Sequence, residues 1–254
     1  MKDFLGIKTF FKDLSSLLKG DYSPNVVAVF QHNARKAYDA GQYEKAMEWM
    51  RMAAEKDDVE SQHIIGYMYE TGKGVAQDYE EAALWYRKAA EQGFASSQYN
   101  LGLLYLKGNG MGQDHAEGAR WMRMAAEQGE TQAANTLGNM HEHGGGVEQD
   151  YAEAALWYRK AAEQGHAQAQ LRLAMLIEKG LGTTQDYAEA MHWYRKAAEQ
   201  GDSDAKFCIA NMYAQGLGVN IDMEEALRWL QMSASDGNDF AKETLMQIQE
   251  IKQE

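Results

Sequence analysis

The sequence predicts an all-α solenoid of 36-residue helix-turn-helix repeats, and three observations predict it. The six tryptophans, Trp49, Trp85, Trp121, Trp157, Trp193 and Trp229, follow one another at a constant interval of 36 residues. Two glycine series keep the same step without insertion or deletion: Gly72, Gly108, Gly144, Gly180 and Gly216, and Gly74, Gly110, Gly146, Gly182 and Gly218. The composition has one Pro in 254 residues and is rich in Ala, Glu, Gln, Met and Leu, which carry no branch at Cβ and keep rotamer freedom on a helix. A fixed period of this size marks stacked units whose apolar faces are covered only by their neighbours.

Each element of one repeat has a local cause. Ser61, Ile65, Met68 and Tyr69 stand at i, i+4, i+7 and i+8, the spacing of an amphipathic helix. Gly72 sits where a left-handed residue ends that helix, and Gly74 keeps the turn free of Cβ clashes. Asp78 offers its carboxylate to the free amides of a second helix, and Glu81 completes an Asp-x-x-Glu start like a capping box. The same start recurs as Asp114 with Glu117, Asp150 with Glu153, Asp186 with Glu189 and Asp222 with Glu225, each cap contributing about 1 kcal/mol. The second helix places Ala82, Trp85, Tyr86, Ala89 and Ala90 on one stripe, setting large rings beside small residues, and ends at Gly93. A buried Trp removes about 200 Å² from water, up to about 5 kcal/mol, so the indole ladder is expected to dominate each unit.

Departures from the period set the boundaries. Residues 1–24 form an amphipathic segment with Phe4, Ile7, Phe11, Leu14 and Leu18 on one stripe, read as a cap on the first repeat, with weak membrane contact as the other use of such a stripe. Residues 25–58 form a tighter helix pair, because Asp39-Ala40-Gly41-Gln42 replaces the glycine turn. Five repeats follow at 59–94, 95–130, 131–166, 167–202 and 203–238. Residues 239–254 repeat only the first helix, with Ala241 and Leu245 in register, as a closing cap.

The string from Gly72 to Gly93, with Gly74, Gln77-Asp78-Tyr79, Glu81-Ala82, Trp85-Tyr86-Arg87-Lys88-Ala89-Ala90 and Glu91-Gln92 between them, resembles the Sel-one-like repeat (SLR) family, relatives of the tetratricopeptide repeats. Residues 34–54 are closer to a tetratricopeptide unit through Ala37, Gly41, Tyr43, Ala46 and Ala53. The resemblance implies a right-handed superhelix, first helices on the concave side, and an adaptor or assembly scaffold as its use. Cysteine-rich relatives carry a disulfide in each repeat, and certain of them bind β-lactams. With Cys208 as the single cysteine, neither property carries over.

Comparing the repeats column by column, one face of the first helix varies while its framework does not. That face holds Tyr67, then Tyr99, Asn100 and Leu103, then Asn135 and Asn139, then Leu171, Arg172 and Met175, then Phe207 and Asn211. Asparagine amides both donate and accept, which suits an extended backbone, and the apolar members suit anchors. The expected partner is therefore a protein or peptide, held without a cofactor. A net charge of −13 opposes nucleic acid and anionic membranes. His141-Glu142-His143 does not predict a metal site, since residues two apart on a helix face apart. Ser16 with Lys19 and Ser203 with Lys206 match Ser-x-x-Lys but lack the companion motifs of penicillin-recognising enzymes, so catalysis is not expected. An envelope or polysaccharide-associated assembly factor is the alternative, a β-lactam-binding hydrolase the third. One cysteine and no long apolar run in residues 1–20 predict a cytoplasmic chain, and open solenoid ends leave self-association available.

Overall fold

The structure, a computed structural model, describes residues 24–251, and among them every regular element is a helix. The helices are α1 (Pro24–Asp39), α2 (Tyr43–Ala54), α3 (Val59–Thr71), α4 (Tyr79–Glu91), α5 (Ala95–Lys107), α6 (His115–Glu127) and α7 (Thr131–His143). They continue as α8 (Tyr151–Glu163), α9 (Ala167–Lys179), α10 (Tyr187–Glu199), α11 (Ser203–Gln215), α12 (Met223–Ser235) and α13 (Asp239–Ile251). Odd-numbered helices are the first, or A, helices of the repeats and even-numbered ones the B helices. The stripe through Phe4 and Leu18 and the Ser16 motif lie outside the described residues. Two compact units divide between Asp114 and His115. In each, B helices pack against the A helices that precede and follow them.

The two glycine series do different work. Gly72 ends α3 at φ 68°, with its N–H donating to the Met68 carbonyl, the left-handed termination that a residue with a Cβ resists. The second glycine is the stacking joint: a Cβ on Gly74 would lie 2.5 Å from the Tyr43 carbonyl carbon at the start of α2, and one on Gly182 2.1 Å from that of Tyr151 at the start of α8. Each turn therefore rests backbone to backbone on the start of the preceding B helix.

Asp78, Asp150, Asp186 and Asp222 each accept from the two amides at positions two and three residues on, closing the B helices at their starts. The partnering glutamates differ from the capping-box expectation. Glu153, Glu189 and Glu225 accept from the indole N–H of Trp157, Trp193 and Trp229, one turn along the same helix. An indole donor drawn out of water needs an acceptor, and a carboxylate at i−4 lies on its face.

The indole ladder is likewise corrected as the main source of burial. Trp121, Trp157 and Trp193 are buried, but Trp49, Trp85 and Trp229 are only half-buried. The deepest aromatic rings are those of Tyr86, Tyr158 and Tyr194, one residue after a Trp, all 1% exposed or less.

Between repeats the polar contacts keep their geometry while their chemistry changes. Arg51, Arg87 and Arg195 each donate to a tyrosine hydroxyl of the following A helix, Tyr69, Tyr105 and Tyr213. Arg123 meets the ring nitrogen Nε2 of buried His141 at the same step. Where that column holds Ile177, Arg159 pairs with Glu189 instead. Gln92 with Gln62 and Gln200 with Gln170 make a second rung. In the last repeat the same two positions hold the ion pair Lys206–Asp236, so the lysine of the second Ser-x-x-Lys match is held by a carboxylate.

Candidate binding groove

The variable face is built on a repeated floor. Tyr86 lies across α3 at Gly66, where an added Cβ would come within 2.7 Å of the ring, and its hydroxyl donates to Glu70 at 2.7 Å. Tyr158 crosses α7 at Gly138 in the same way and donates to Glu142 at 2.7 Å, and Tyr194 donates to Glu178. Burial foremost, together with the neighbouring carboxylate, pushes the phenols of Tyr86 and Tyr158 well above the ordinary tyrosine range. The next A helix sets a different residue beside each hydroxyl: Asn100 at Tyr86, Arg172 at Tyr158 and Cys208 at Tyr194. Burial pushes the Cys208 thiol up to about 11, leaving it protonated and unreactive.

The tyrosine and glutamate columns change together. The tyrosine column reads Tyr86, Met122, Tyr158, Tyr194, Leu230 and the glutamate column Glu70, Leu106, Glu142, Glu178, Ala214. A carboxylate that has lost its phenol keeps its desolvation cost without a donor. Tyr158→Leu is therefore expected to destabilise the chain more in the presence of Glu142 than beside Glu142→Ala. A double-mutant cycle by urea denaturation should return a coupling of about 1–2 kcal/mol, and additivity within error would show the pair to be incidental.

Clefts open between successive A helices above this floor. In the second unit a cleft of about 420 Å³ between α7 and α9 is lined by Asn135, Thr136, Asn139, Gln168 and Arg172, with Tyr158 beneath. The amide oxygen of Asn135 is buried, with no hydrogen-bond partner among the described residues. In the first unit the corresponding cleft, about 660 Å³ between α1 and α3, has Met50 as its floor and Gln31, Arg35, Tyr38, Ile64 and Tyr67 among its walls. Beside it the Lys73 ammonium donates to the hydroxyls of Tyr38 at 2.9 Å and Tyr67 at 3.5 Å, over three tyrosine rings 5.2 to 5.8 Å away. That cation is spent on the protein itself.

His63 sits between α3 and α5, its Nδ1 2.8 Å from the Ser97 hydroxyl and its ring against Tyr86 and Phe94. Burial holds its pKa below the ordinary 6.5. The unfolded chain thus takes up a proton that the folded chain resists, so this stabilising contribution is complete above pH 6.5 and declines as pH falls below it. His63→Leu, which follows Leu171 in the same column, should lose less stability between pH 7.5 and 5.5 than the parent, measured as urea midpoints. Equal losses in both chains would assign the acid sensitivity elsewhere.

The residues expected to bind a partner are brought together unevenly. Asn135, Asn139 and Arg172 line one cleft, and Tyr67 another. Tyr99, Asn100, Leu103, Met175, Phe207 and Asn211 are half-buried on their A helices, with Asn100 turned to Tyr86 and the Phe207 ring 6.4 Å from that of Phe240. Leu171 departs from the expected face: it is buried at 4% exposure, whereas His63, Tyr99, Asn135 and Phe207 in the same column are half-buried. The sequence places Tyr86 on the packed stripe of its helix; the covariation of the tyrosine column with the glutamates is the sign that its hydroxyl, with those of Tyr158 and Tyr194, also forms the floor. Among the described residues no cluster of His, Cys, Asp and Glu could hold a metal, and no helix is long and apolar enough to cross a membrane.

Comparison with known proteins defines the class. The Sel1 repeat family model matches residues 34–58, 59–94, 95–130, 131–166, 167–202 and 203–238, so the first, tetratricopeptide-like unit is taken as a repeat of the same kind. The chain belongs to the Sel1 repeat family, whose members generally act as protein-interaction scaffolds. A Sel1 repeat protein of Oxalobacter formigenes is 38% identical, with a TM-score of 0.78 over 83% of this chain and 87% of that one. A protective antigen of uropathogenic Escherichia coli with an SLR fold is 35% identical, with a TM-score of 0.76 over 85% of this chain. The chain spans 50% of the length of that antigen. None of the curated proteins matches it in sequence.

Proposed function

We propose that the protein is a non-catalytic adaptor that holds an extended segment of a protein partner across its A helices. The observation that carries this reading is the cleft between α7 and α9, in which Asn135, Asn139 and Arg172 stand over the Tyr158–Glu142 floor. Amides and a guanidinium gathered on one cleft wall gain when a ligand brings complementary donors and acceptors. Within the second unit Met175, Phe207 and Asn211 add apolar anchors and an amide on the A helices, and in the first unit Tyr67, Tyr99, Asn100 and Leu103 occupy the equivalent columns. A peptide backbone, alternating donor and acceptor, fits this pattern better than an apolar ligand.

The test is selection of a random nonapeptide library on the full chain, followed by fluorescence anisotropy of the winning peptides. Asn135→Ala with Asn139→Ala is expected to weaken the selected peptides by about tenfold or more, since each lost buried hydrogen bond is worth about 1 kcal/mol. Peptides that bind this variant unchanged would place recognition elsewhere.

A further inference from the structure

We propose that position 172 is the charge-selecting position of the groove and that the α7–α9 cleft takes a carboxylate of the bound segment, an inference that rests on the peptide-binding reading above. Three tyrosine–glutamate floors have nearly the same geometry, and what differs is the residue the next A helix sets beside them: Asn100, Arg172 and Cys208. Across all repeats this column reads Ile64, Asn100, Thr136, Arg172, Cys208. A constant floor with a variable neighbour is the arrangement of a selector, and only Arg172 carries charge.

The state of that charge points to its ligand. Arg172 is half-buried in the wall of the cleft and makes no hydrogen bond or ion pair with a described residue. Arg51, Arg87, Arg159 and Arg195, by contrast, are each committed to a phenol or a carboxylate, and Lys73 to the tyrosines of the first-unit cleft. Glu142, which like Arg172 neighbours the Tyr158 hydroxyl, accepts from Tyr158 rather than from Arg172. Arg35, in the wall of the first-unit cleft, is exposed; a half-buried guanidinium without a partner among the described residues, in a chain of net charge −13, is what a planar, singly charged acceptor would satisfy in fork geometry. The amides of Asn139 and Gln168, on the same walls, offer donors to its second oxygen. A dianionic phosphate is the poorer occupant, because Glu142 repels it twice over.

The carboxylate has two sources, an acidic side chain or the end of a chain, and the experiment separates them. Each nonapeptide selected on the full chain is made in its native form, with each Asp or Glu replaced by its amide isostere, and with an amidated C terminus. Affinities are then measured by fluorescence anisotropy for the parent, Arg172→Gln and Glu142→Gln, with thermal melts confirming that the variants fold. Neutralising the recognised carboxylate should cost the parent about tenfold and Arg172→Gln less than about twofold, and Glu142→Gln should bind the native peptide more tightly than the parent does. Loss in the isostere series assigns a side chain, and loss in the amidated series a terminus. If Arg172→Gln discriminates between charged and neutral peptides as well as the parent, the charge-selecting role is overturned while the groove stands. If no peptide is selected, or binding ignores the Asn135 and Asn139 substitutions, the groove reading falls and this one with it.

Discussion

Gly182→Ala is expected to be among the most damaging single-methyl changes in the chain, lowering stability by at least about 3 kcal/mol. Two costs add. The backbone at φ 65° disfavours a side chain, a strain of roughly 1–3 kcal/mol. The new methyl would also stand 2.1 Å from the Tyr151 carbonyl carbon, and main chain cannot swing aside as a flexible side chain can. The repeat must separate from the one before it. Gly165→Ala is the control, since φ is 89° there but nothing lies within 4 Å of the added carbon; its cost should be the strain alone, about 1 kcal/mol. Urea denaturation followed by circular dichroism measures both, and equal losses would show that the turn does not work as a stacking joint.

Trp157→Ala should cost about 3–5 kcal/mol, the range for truncating a buried large aromatic. Trp157 is 2% exposed, donates its indole N–H to Glu153, and is covered by the Lys160 ammonium 3.8 Å from the ring centre. Trp85→Ala removes the same atoms from a half-buried site and should cost distinctly less, because part of its ring never left water. Thermal denaturation of the two variants tests this. A Trp85 penalty as large as that of Trp157 would restore the view that every rung of the ladder weighs the same.

Much of the fold is legible in the sequence because its causes are local. A left-handed glycine ends a helix wherever it stands, and an aspartate before a run of free amides caps one, so Gly72 and Asp78 announce a turn and a start without reference to the rest of the chain. The variable face of the A helices is legible for a related reason: helical periodicity places Asn135 and Asn139 on one side whatever surrounds them. Leu171 shows where this stops. Its column is half-buried at Asn135 and Phe207 and buried at Leu171, and side-chain size and polarity alone do not report which.

The sequence by itself determined the repeat, its helices, its turns and the face free to specialise, since each follows from spacing and backbone chemistry within some 36 residues. Only the tertiary structure decided that Tyr158 reaches 16 residues back to Glu142, that a second glycine carries each turn on the helix start before it, and that Arg172 stands in a cleft wall with no ion pair to a described residue. Those three depend on how one helix lies against another, and packing distance, unlike periodicity, is not written in any single helix.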